Sequence, residues 1–436
     1  MPARTIIVLG GAQSGPTAAI AARETDAKAR IILVERAERV AYSVAAVPGR
    51  VSGEAAAEPG DAAGRLAREY EIGILTGVSV DLIRPRMRTI LTSRGPLHYD
   101  SLVYALGAEP VRVAALAGAE NVYGVRTPAD WRGLEPALRG AREVAVVGGG
   151  FFGVEAADAL LRRGCGVTLI ERGARLLPAF SARAAEAVRA GLETEGARVI
   201  TGARVGPAEV RRGRVVALRL SGGRRVRADV VIVAAGVRPR SELLGRAGAR
   251  LHKDGSIAVG ADCRTSLPGV YACGVCVSVP HAVTGARFMM AQAAIADKTA
   301  RIAGAAAAGG KARLGAVLGT AIVRAGATVA ARTGDSSGRL RVVCDGVSCE
   351  PYMSGAREVS VELCFDQRGR VLGAEVIGGA GVDKRIDVIA AAIAGGMTVE
   401  RLAGIDLAYA PAFGTPCDAV NAAAAAAARA LARKGR

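Results

Sequence analysis

Two glycine-rich segments constrain the fold of this chain more than any other feature of its sequence. The first, RTIIVLGGAQSGPTAAIAARETDAKARIILVER (residues 4–36), has the order strand, glycine turn, helix, strand, and EVAVVGGGFFGVEAADALLRRGCGVTLIER (143–172) repeats it. Small residues at such a turn let backbone N–H groups at the helix start approach a pyrophosphate, which the helix dipole also attracts. The repetition predicts two units that each bind a dinucleotide.

The first unit departs slightly from the G-x-G-x-x-G pattern, because an alanine stands at the middle glycine. An acidic residue closes its second strand, where a carboxylate can accept hydrogen bonds from a ribose diol. The residues that we expect to bind a cofactor here are Gly10, Gly11, Ala12, Gly15, Glu35 and Arg36.

The second unit carries the complete pattern. Its expected cofactor-binding residues are Gly148, Gly150, Phe151, Phe152, Gly153, Glu171 and Arg172. The carboxylate of Glu171 repels a 2′-phosphate and so favours NADH, while Arg172 beside it keeps NADPH from being excluded. Two such units, each with strand, helix and terminal acid, indicate one Rossmann-like domain for FAD and another for NAD(P).

Two further apolar strands support this pairing. They lie in SLVYALGAEPV (101–111) and DVVIVAAGVRPRSELL (229–244), and each ends in a glycine flanked by small residues. Strand ends of this kind let the backbone pass close to a cofactor. Ala105, Gly107 and Gly236 are therefore added to the expected cofactor-binding residues.

The chain is strongly basic, with 58 Lys and Arg against 40 Asp and Glu and a net charge of +18. The arginines are scattered, and no basic patch with interleaved aromatic residues is seen, so a nucleic-acid partner is not expected. The scattered arginines are interpreted as compositional drift on a solvated surface, in preference to a site for an anionic partner such as an acidic electron carrier, and a phosphate-bearing ligand such as coenzyme A is compatible with the charge.

The sequence favours a cytoplasmic protein without a membrane span. No signal peptide precedes the strand that begins at Thr5, and the longest apolar runs, such as 230–237, are too short to cross a bilayer. Its eight cysteines are therefore expected to be mostly buried thiols rather than a disulfide framework.

These features together resemble the pyridine nucleotide–disulfide oxidoreductases, and within them the group of coenzyme A disulfide reductase, NADH oxidase and NADH peroxidase. The similarity extends over nearly the whole chain. Beyond the two glycine-rich units, it rests on YALGAEP (104–110), VAAGVRP (233–239), RTSLPGVYACG (264–274), HAVTG (281–285), the segment 381–414 and DAVN (418–421).

The resemblance implies an α/β architecture with an FAD-binding domain split in sequence. That domain comprises residues 1–117 and 245–318, and an NAD(P)-binding domain (118–244) is inserted in it. A C-terminal α+β domain (319–436) is implied to dimerise, so that a homodimer forms in which each subunit completes the active site of its partner.

The resemblance also implies roles for individual residues. At the flavin they are Ser43, Val80 and Val275; near the reacting groups, Glu155, Tyr409 and Cys417; toward the substrate, Arg23, Ala45, Tyr352 and Phe413. Glu155 is implied to lie near the nicotinamide, and Cys417 lies on a loop that is implied to reach the active site of the partner.

The chain departs from the group at its reactive cysteine. The group has a Tyr-Ser-x-Cys-Gly-Leu-Pro-Tyr segment beside the flavin, whereas YSVAAVPG here keeps Tyr42, Ser43 and Pro48 and places Ala45 at the cysteine position. Alanine can form neither a mixed disulfide nor a sulfenic acid. Thiol chemistry at this position is therefore excluded, unless another cysteine substitutes.

Two other departures concern ligand affinity. Val275 replaces an aspartate that accepts a hydrogen bond from the FAD ribitol in the group. A lost bond to a charged group costs about 1.5–3 kcal/mol, or about ten- to a hundredfold in affinity. Ala21 stands where the coenzyme A readers favour a basic residue, although Arg23 remains, so coenzyme A binding is expected to be weakened.

The other cysteines offer limited replacements for the missing thiol. Cys273 and Cys276 form a C-x-x-C, but no second half of a four-cysteine zinc site is at hand, and we interpret the pair as buried packing. Cys417 could in principle serve the flavin of the partner, but an inert loop residue is favoured. The three histidines show no ligand spacing, and no metal is expected.

Hydride transfer from NADH to FAD needs no thiol, because the protein only orients the two rings. The sequence therefore predicts an FAD-dependent NAD(P)H oxidoreductase with an acceptor other than a disulfide: a quinone, oxygen, an electron-carrier protein or an acyl-CoA-type compound. Two alternatives stay open. One is a catalytically retired nucleotide- or CoA-binding paralogue with weak or no FAD, and the other is a CoA-disulfide reductase-like activity through Cys417.

Overall fold

A computed structural model places residues 3–43, 46–54, 60–125, 127–315, 317–337 and 340–434. Ala45, the residue at the cysteine position of the group, lies outside these ranges.

The first part of the chain contains the glycine turn of the first unit and a small three-stranded antiparallel sheet. Its elements are β1 (Thr5–Leu9), α1 (Ser14–Thr25), β2 (Arg30–Val34), α2 (Ala46–Ser52), α3 (Ala62–Tyr70), β3 (Gly73–Leu75), β4 (Val80–Arg84), β5 (Thr89–Thr92), β6 (Gly95–His98), β7 (Ser101–Tyr104) and β8 (Ala108–Pro110).

The second glycine turn lies in the next part of the chain. The elements there are β9 (Val122–Tyr123), α4 (Pro128–Leu138), β10 (Glu143–Val147), α5 (Phe151–Arg162), β11 (Gly166–Ile170), α6 (Ala182–Thr194), β12 (Arg198–Ile200), β13 (Val205–Arg211), β14 (Arg214–Leu220), β15 (Arg225–Arg227), β16 (Val230–Val233), β17 (Val237–Pro239) and α7 (Glu242–Arg246).

The rest of the chain returns to the first sheet and then forms an antiparallel sheet. Its elements are β18 (Ile257–Ala258), β19 (Val270–Ala272), β20 (Val277–Pro280), β21 (Arg287–Phe288), α8 (Ala293–Ala307), β22 (Ala321–Ala325), β23 (Thr328–Gly334), β24 (Leu340–Val347), β25 (Glu358–Phe365), β26 (Val371–Gly378), α9 (Val382–Ala394), α10 (Val399–Ala403) and α11 (Ala419–Lys434).

Two five-stranded parallel sheets form the nucleotide units, in the orders β19-β7-β1-β2-β3 and β12-β11-β10-β16-β9. Strand β19 follows the whole second unit in sequence yet pairs with β7 in the first sheet. The second unit is therefore inserted in the first, which confirms the predicted α/β fold class. The domain boundaries at individual residues stay a prediction.

Both faces of the first sheet are buried, which explains its uninterrupted apolar strands. In β1, Ile6 and Val8 belong to the core cluster that contains alanines of α1 and α8, whereas Ile7 and Leu9 belong to the cluster on the other face. Helices α1 and α8 approach each other closely on one face of this sheet, because a Cβ at Gly304 of α8 would stand only 2.0 Å from the carbonyl oxygen of Ala18 in α1.

The C-terminal sheet has the order β22-β23-β26-β25-β24 and is antiparallel throughout. A turn at Asp366 joins β25 and β26, and its carboxylate accepts hydrogen bonds from the backbone N–H groups of Arg368 (2.8 Å) and Arg370 (2.9 Å). Helices α9 and α11 pack on this sheet over a core that includes Val361, Ile389 and Ala423.

Helix α6 joins the second nucleotide unit to the C-terminal sheet at two points. Beside its first turn, the N–H of Ser181 donates to both carboxylate oxygens of the buried Glu375 (2.9 and 3.1 Å). In its last turns, a Cβ at Gly191 would stand 2.6 Å from the carbonyl oxygen of Ala325. The helix backbone therefore packs directly against the turn between β22 and β23.

None of the helices within the described ranges is both long enough and apolar enough to span a bilayer.

Candidate functional site

The two glycine turns have the same geometry. Gly10 and Gly148 both have positive φ, +103° and +114°. Gly10 contacts the residues just after the neighbouring strand β7, and Gly148 contacts those just after the neighbouring strand β16. A Cβ would stand 2.5 Å from the carbonyl oxygen of Ala105 at the first turn and 2.4 Å from that of Ala234 at the second. Both the backbone conformation and the lack of space therefore require glycine. At the helix starts, a Cβ on Gly15 or Gly153 would meet a backbone oxygen at 1.7 Å.

The two acidic residues occupy equivalent positions beside these turns. The carboxylate of Glu35 accepts hydrogen bonds from the N–H groups of Gly11 (2.5 Å) and Ala37 (2.7 Å). That of Glu171 accepts from Gly149 and Gly173, both at 2.6 Å. A carboxylate has about four acceptor positions, so each retains lone pairs for a ribose diol.

The segments that follow the two acidic residues also have the same conformation, which is not predictable from the sequence. Ala41 and Leu177 both adopt the left-handed conformation, with φ of 57° and 46°. Their N–H groups donate to the carbonyl oxygens of Gly11 (2.6 Å) and Gly149 (2.8 Å), respectively. Because neither residue is a glycine, no sequence signal marks this return of the chain over the turn.

The middle position of the second turn is open. A Cβ added at Gly150 meets no atom of the described residues within 4 Å, and the same holds at Gly236, which closes the neighbouring strand. This is the space that a pyrophosphate needs to approach the backbone at the start of α5. The residues present thus fit a dinucleotide at the second turn.

Replacing Gly150 with valine is expected to weaken NADH binding by about tenfold or more, ~1.4 kcal/mol, because the new side chain enters the pyrophosphate space. The fold should be retained, since the site is open and the φ of Gly150 is −77°. Titration monitored by NADH fluorescence measures the effect. Gly140→Val is the matched control at an open glycine outside the cavity, and equal loss in both variants would contradict the assignment.

One large cavity, here called the main cavity, extends from the second glycine turn to the C-terminal sheet. Its volume is about 1230 Å³, and its walls include the start of α8 and the segments 318–322 and 332–335. Eight of the residues expected from the sequence line it: Gly148, Gly150, Phe151, Phe152, Glu155, Glu171, Arg172 and Gly236. The ring of Phe151 packs against that of Phe180, with ring centroids 5.6 Å apart.

Glu155 is the acidic residue of this cavity that is best suited to transfer a proton. It lies half-buried on the second turn of α5, and no hydrogen bond or ion pair to the described residues holds its carboxylate. Burial, reinforced by repulsion from Asp158, raises the pKa of Glu155 above its ordinary value. Such a carboxyl group can take up and release a proton closer to neutral pH than an exposed glutamate.

The first unit places its expected residues around its own turn. Ala105 donates its N–H to the carbonyl oxygen of Leu9 (2.8 Å), and Gly107 follows at the end of β7. The side chain of Val275 faces Gly107, with Cγ2 3.6 Å from where a Cβ would stand. The glycine turn and Glu35 fit a dinucleotide, but the valine offers it no hydrogen bond. Val80 is half-buried at the start of β4 and packs against the core cluster that contains Ile7 and Leu9.

Three other expected residues of this unit have different surroundings. The guanidinium of Arg23 donates to the carbonyl oxygens of Ala27 (2.7 Å), Tyr70 (2.9 Å) and Glu71 (3.1 Å). It is thereby engaged in joining the end of α1 to the end of α3. Arg36 and Ser43 are exposed.

Tyr352, Tyr409 and Phe413 lie on two loops of the C-terminal domain, and none of them lines the main cavity. They are strongly exposed, at 72%, 49% and 71% of their surfaces. The loops contact each other, because the Tyr409 hydroxyl donates to Glu350 (3.1 Å) and the Glu350 N–H donates to Pro411 (2.9 Å). Cys417, at the end of the second loop, is also exposed.

A buried ion pair holds these two loops. The guanidinium of Arg385, 1% exposed, donates to both carboxylate oxygens of Asp418 (3.1 and 2.8 Å) and to the carbonyl oxygen of Ser348 (3.2 Å). Lys384 donates to the carbonyl oxygen of Phe413 (2.5 Å). No sequence pattern marks this pair, because its members are 33 residues apart and have no recognisable spacing.

The C-x-x-C pair is fully buried. The thiol of Cys276 donates to the carbonyl oxygen of Cys273 (3.1 Å), and burial raises the pKa of Cys276 to about 12. Burial also raises the pKa of Cys273 well above its ordinary value. A thiol reacts as its thiolate, so neither residue is poised for redox chemistry in this fold.

Comparison with known proteins identifies the family. Residues 4–297 match the family profile described as pyridine nucleotide-disulphide oxidoreductase. The chain is 31% identical over 432 residues to an NADH oxidase from Methanocaldococcus jannaschii, with 93% of this chain and 94% of that protein covered. The chain therefore belongs to the pyridine nucleotide-disulphide oxidoreductases.

Two further relatives are similar over almost the whole chain. A CoA-dependent NAD(P)H sulfur oxidoreductase from Pyrococcus abyssi is 27% identical over 440 residues, covering 94% of this chain and 95% of that one. The structure of a NAD-dependent persulfide reductase from A. fulgidus superposes with a TM-score of 0.93 at 30% identity, covering 99% of this chain and 84% of that chain. These similarities confirm the recognised family and the class of enzyme, an FAD-dependent NAD(P)H oxidoreductase.

Proposed function

We propose that this protein oxidises NADH through FAD and reduces a small acceptor that is not a disulfide. The observation that carries the proposal is the replacement of the family cysteine by Ala45, in a chain that keeps both nucleotide-binding turns. No cysteine is found among the described residues that line the main cavity. The sulfur chemistry in the names of two relatives is therefore not transferred to this chain.

In the proposed reaction, the side chains of the second unit bind and orient the nucleotide. The turn at Gly148 and Gly150 holds the pyrophosphate, and Glu171 accepts hydrogen bonds from the ribose. Phe151 and Phe152 form an apolar wall that excludes water between the turn and the far end of the cavity. FAD, when bound at the first turn, supplies the hydride acceptor, so the protein contributes alignment of the donor.

The preferred nucleotide is proposed to be NADH. The carboxylate of Glu171 is fixed by two backbone N–H groups, so it cannot turn away from a 2′-phosphate without breaking them. Arg172 and Arg204 line the same cavity and can pair with a phosphate. NADPH is therefore proposed as a weaker second substrate.

The acceptor is proposed to be a quinone or oxygen. The end of the main cavity remote from the glycine turn is lined by Phe288, Met289, Met290, Leu318 and Ile322, which suit an apolar molecule better than a charged one. This choice agrees with the NADH oxidase name of the archaeal relative. An acidic electron-carrier protein is the second candidate, because the net charge of +18 favours such a partner.

The protein is further proposed to act as a cytoplasmic homodimer. The exposed aromatic side chains of Tyr352, Tyr409 and Phe413 support an interface on the C-terminal domain, since aromatic residues are enriched at interfaces. A coenzyme A-type ligand is proposed to bind only weakly, because the guanidinium of Arg23 is engaged by backbone carbonyl groups.

Anaerobic titration of the purified protein tests the proposal. We expect a yellow protein that is bleached by one equivalent of NADH and reoxidised by a quinone or oxygen, but not by coenzyme A disulfide. A colourless protein that takes up no added FAD would instead support the catalytically retired paralogue. Efficient reoxidation by coenzyme A disulfide would contradict the exclusion of thiol chemistry and would support the alternative in which Cys417 is the redox thiol.

A further inference from the structure

A second cavity lies behind the main one, where the three parts of the chain meet. Its volume is about 550 Å³. Its walls come from α2 and the residues after it, from α5, from the turn between β22 and β23, and from residues 379–383. Glu155 and Ile322 line both cavities, so the cavities adjoin at these two side chains, and this boundary is here called the partition.

The second cavity is charged and reaches the surface. Arg162 pairs with Asp158 (3.0 Å) and Glu54, and Arg324 pairs with Glu54 (3.1 Å) and Asp158 (3.5 Å). The side chains of Glu54 and Arg324 are 54% and 48% exposed, whereas that of Asp158 is 5% exposed. The cluster thus connects solvent to the buried side of α5, and polar walls of this kind hold water.

The main cavity offers few other groups that can exchange a proton. Both oxygens of Glu171 accept backbone hydrogen bonds. His281 accepts at Nδ1 from Val283 (3.2 Å) and donates from Nε2 to the carbonyl oxygen of Leu318 (3.2 Å). Both groups are therefore committed to holding the fold.

Asp335 is committed as well. Burial by itself raises its pKa, but the hydrogen bonds from Ser337, together with the positive charge of Arg332, hold the pKa below its ordinary value. Of the acid–base groups that the structure places on this cavity wall, Glu155 is the one with a raised pKa and an unengaged carboxylate.

The proposed reaction needs such a group, and the inference rests on that proposed function. NADH supplies a hydride, which is two electrons and one proton. Reduction of a quinone to a hydroquinone, or of oxygen to hydrogen peroxide, consumes two electrons and two protons. The balance is NADH + H⁺ + acceptor → NAD⁺ + reduced acceptor, so one proton enters from solvent in each turnover.

We propose that the second cavity is the proton entry route of this enzyme and that Glu155 transfers the proton across the partition into the main cavity. The carboxyl group gives its proton to the reduced acceptor and is reprotonated from water in the second cavity. The charged or titratable residues that line the two cavities beside Glu155 are Glu54, Arg112, Asp158, Arg162, Glu171, Arg172, Arg204, His281, Arg324, Arg332, Asp335 and Asp383.

Infrared spectroscopy of the protein without added nucleotide tests the acid itself. We expect a protonated carboxyl band that persists above the pH range of an ordinary glutamate and is absent in Glu155→Gln. An identical band in the variant would overturn the proposal, because Glu155 would then be ionised. This readout does not depend on oxidoreductase activity.

Kinetics of the holoenzyme test the route. Glu155→Gln should lower turnover with a quinone by about 10²-fold, within the range of general acid catalysis, while single-turnover bleaching by NADH is kept. Ala327→Phe places a ring in the second cavity from an exposed position. It should lower quinone turnover by about tenfold, as an acid cut off from its proton source loses much of that catalysis, and should raise the solvent isotope effect.

The matched control is Ala190→Phe, the same change at an exposed alanine of α6 outside both cavities. It should behave as the unmodified protein. If Ala327→Phe and Ala190→Phe have the same turnover and isotope effect, the second cavity is not the route. Failure of the unmodified protein to bleach with NADH would contradict the proposed function instead.

Discussion

Replacing Arg385 with alanine is expected to lower the free energy of unfolding by about 3–5 kcal/mol. The substitution removes both guanidinium hydrogen bonds to the buried Asp418 and the bond to the carbonyl oxygen of Ser348. Asp418 then keeps only the N–H of Val420 (3.0 Å) and the more distant, partly exposed ammonium of Lys384 (3.8 Å). Breaking a buried, hydrogen-bonded ion pair by removing one partner is far more costly than the loss of an exposed pair. Urea unfolding, followed by circular dichroism, measures the change.

The control for this prediction is Arg183→Ala, which breaks the exposed pair between Arg183 and Asp345 (2.9 Å). Exposed pairs contribute about 0–1 kcal/mol, so this variant should unfold almost as the unmodified protein does. The double variant Arg385→Met with Asp418→Leu should recover much of the lost stability, because it leaves no buried charge. Equal stability of the two single variants would contradict the prediction.

Replacing Val275 with aspartate is expected to strengthen FAD binding by about ten- to a hundredfold. The side chain faces Gly107 at the end of β7, beside the first glycine turn, and the aspartate would provide the acceptor that the family resemblance implies for the ribitol. Titration of the flavin-free protein with FAD, followed by quenching of flavin fluorescence, measures the dissociation constant.

Val275→Leu is the matched control, because it keeps the site apolar. It should bind FAD no more tightly than the unmodified protein. If Val275→Asp and Val275→Leu bind FAD equally, the ribitol does not pass this residue, and the position of the flavin inferred from the family is wrong for this chain.

The fold and the nucleotide turns were predictable from the sequence because their determinants are local. Gly148, Gly153 and Glu171 lie within 24 residues of one another, and each residue type is required at its position for a physical reason. A glycine is required where a Cβ would meet a backbone oxygen, and an acid where backbone N–H groups converge. The strand, turn and helix periodicities then specify the rest of each unit.

The second cavity could not have been predicted in this way. Glu54, Asp158 and Arg324 lie 104 and 166 residues apart in sequence, and each alone reads as an ordinary surface charge. Arg23 is a different case, because its role toward a ligand stays a prediction, while the structure shows that its guanidinium donates to the backbone of neighbouring segments. Only the tertiary arrangement distinguishes these cases.

The contact between Gly191 and the Ala325 carbonyl group restricts the motion of the second nucleotide unit during a catalytic cycle. With the anchor at Ser181 it fastens α6 at both ends, so swinging the second unit as a rigid body would require breaking close-packed backbone and buried polar contacts together. The contacts therefore favour a cycle in which nucleotide and acceptor enter and leave a preformed cavity without a hinge motion of the second unit.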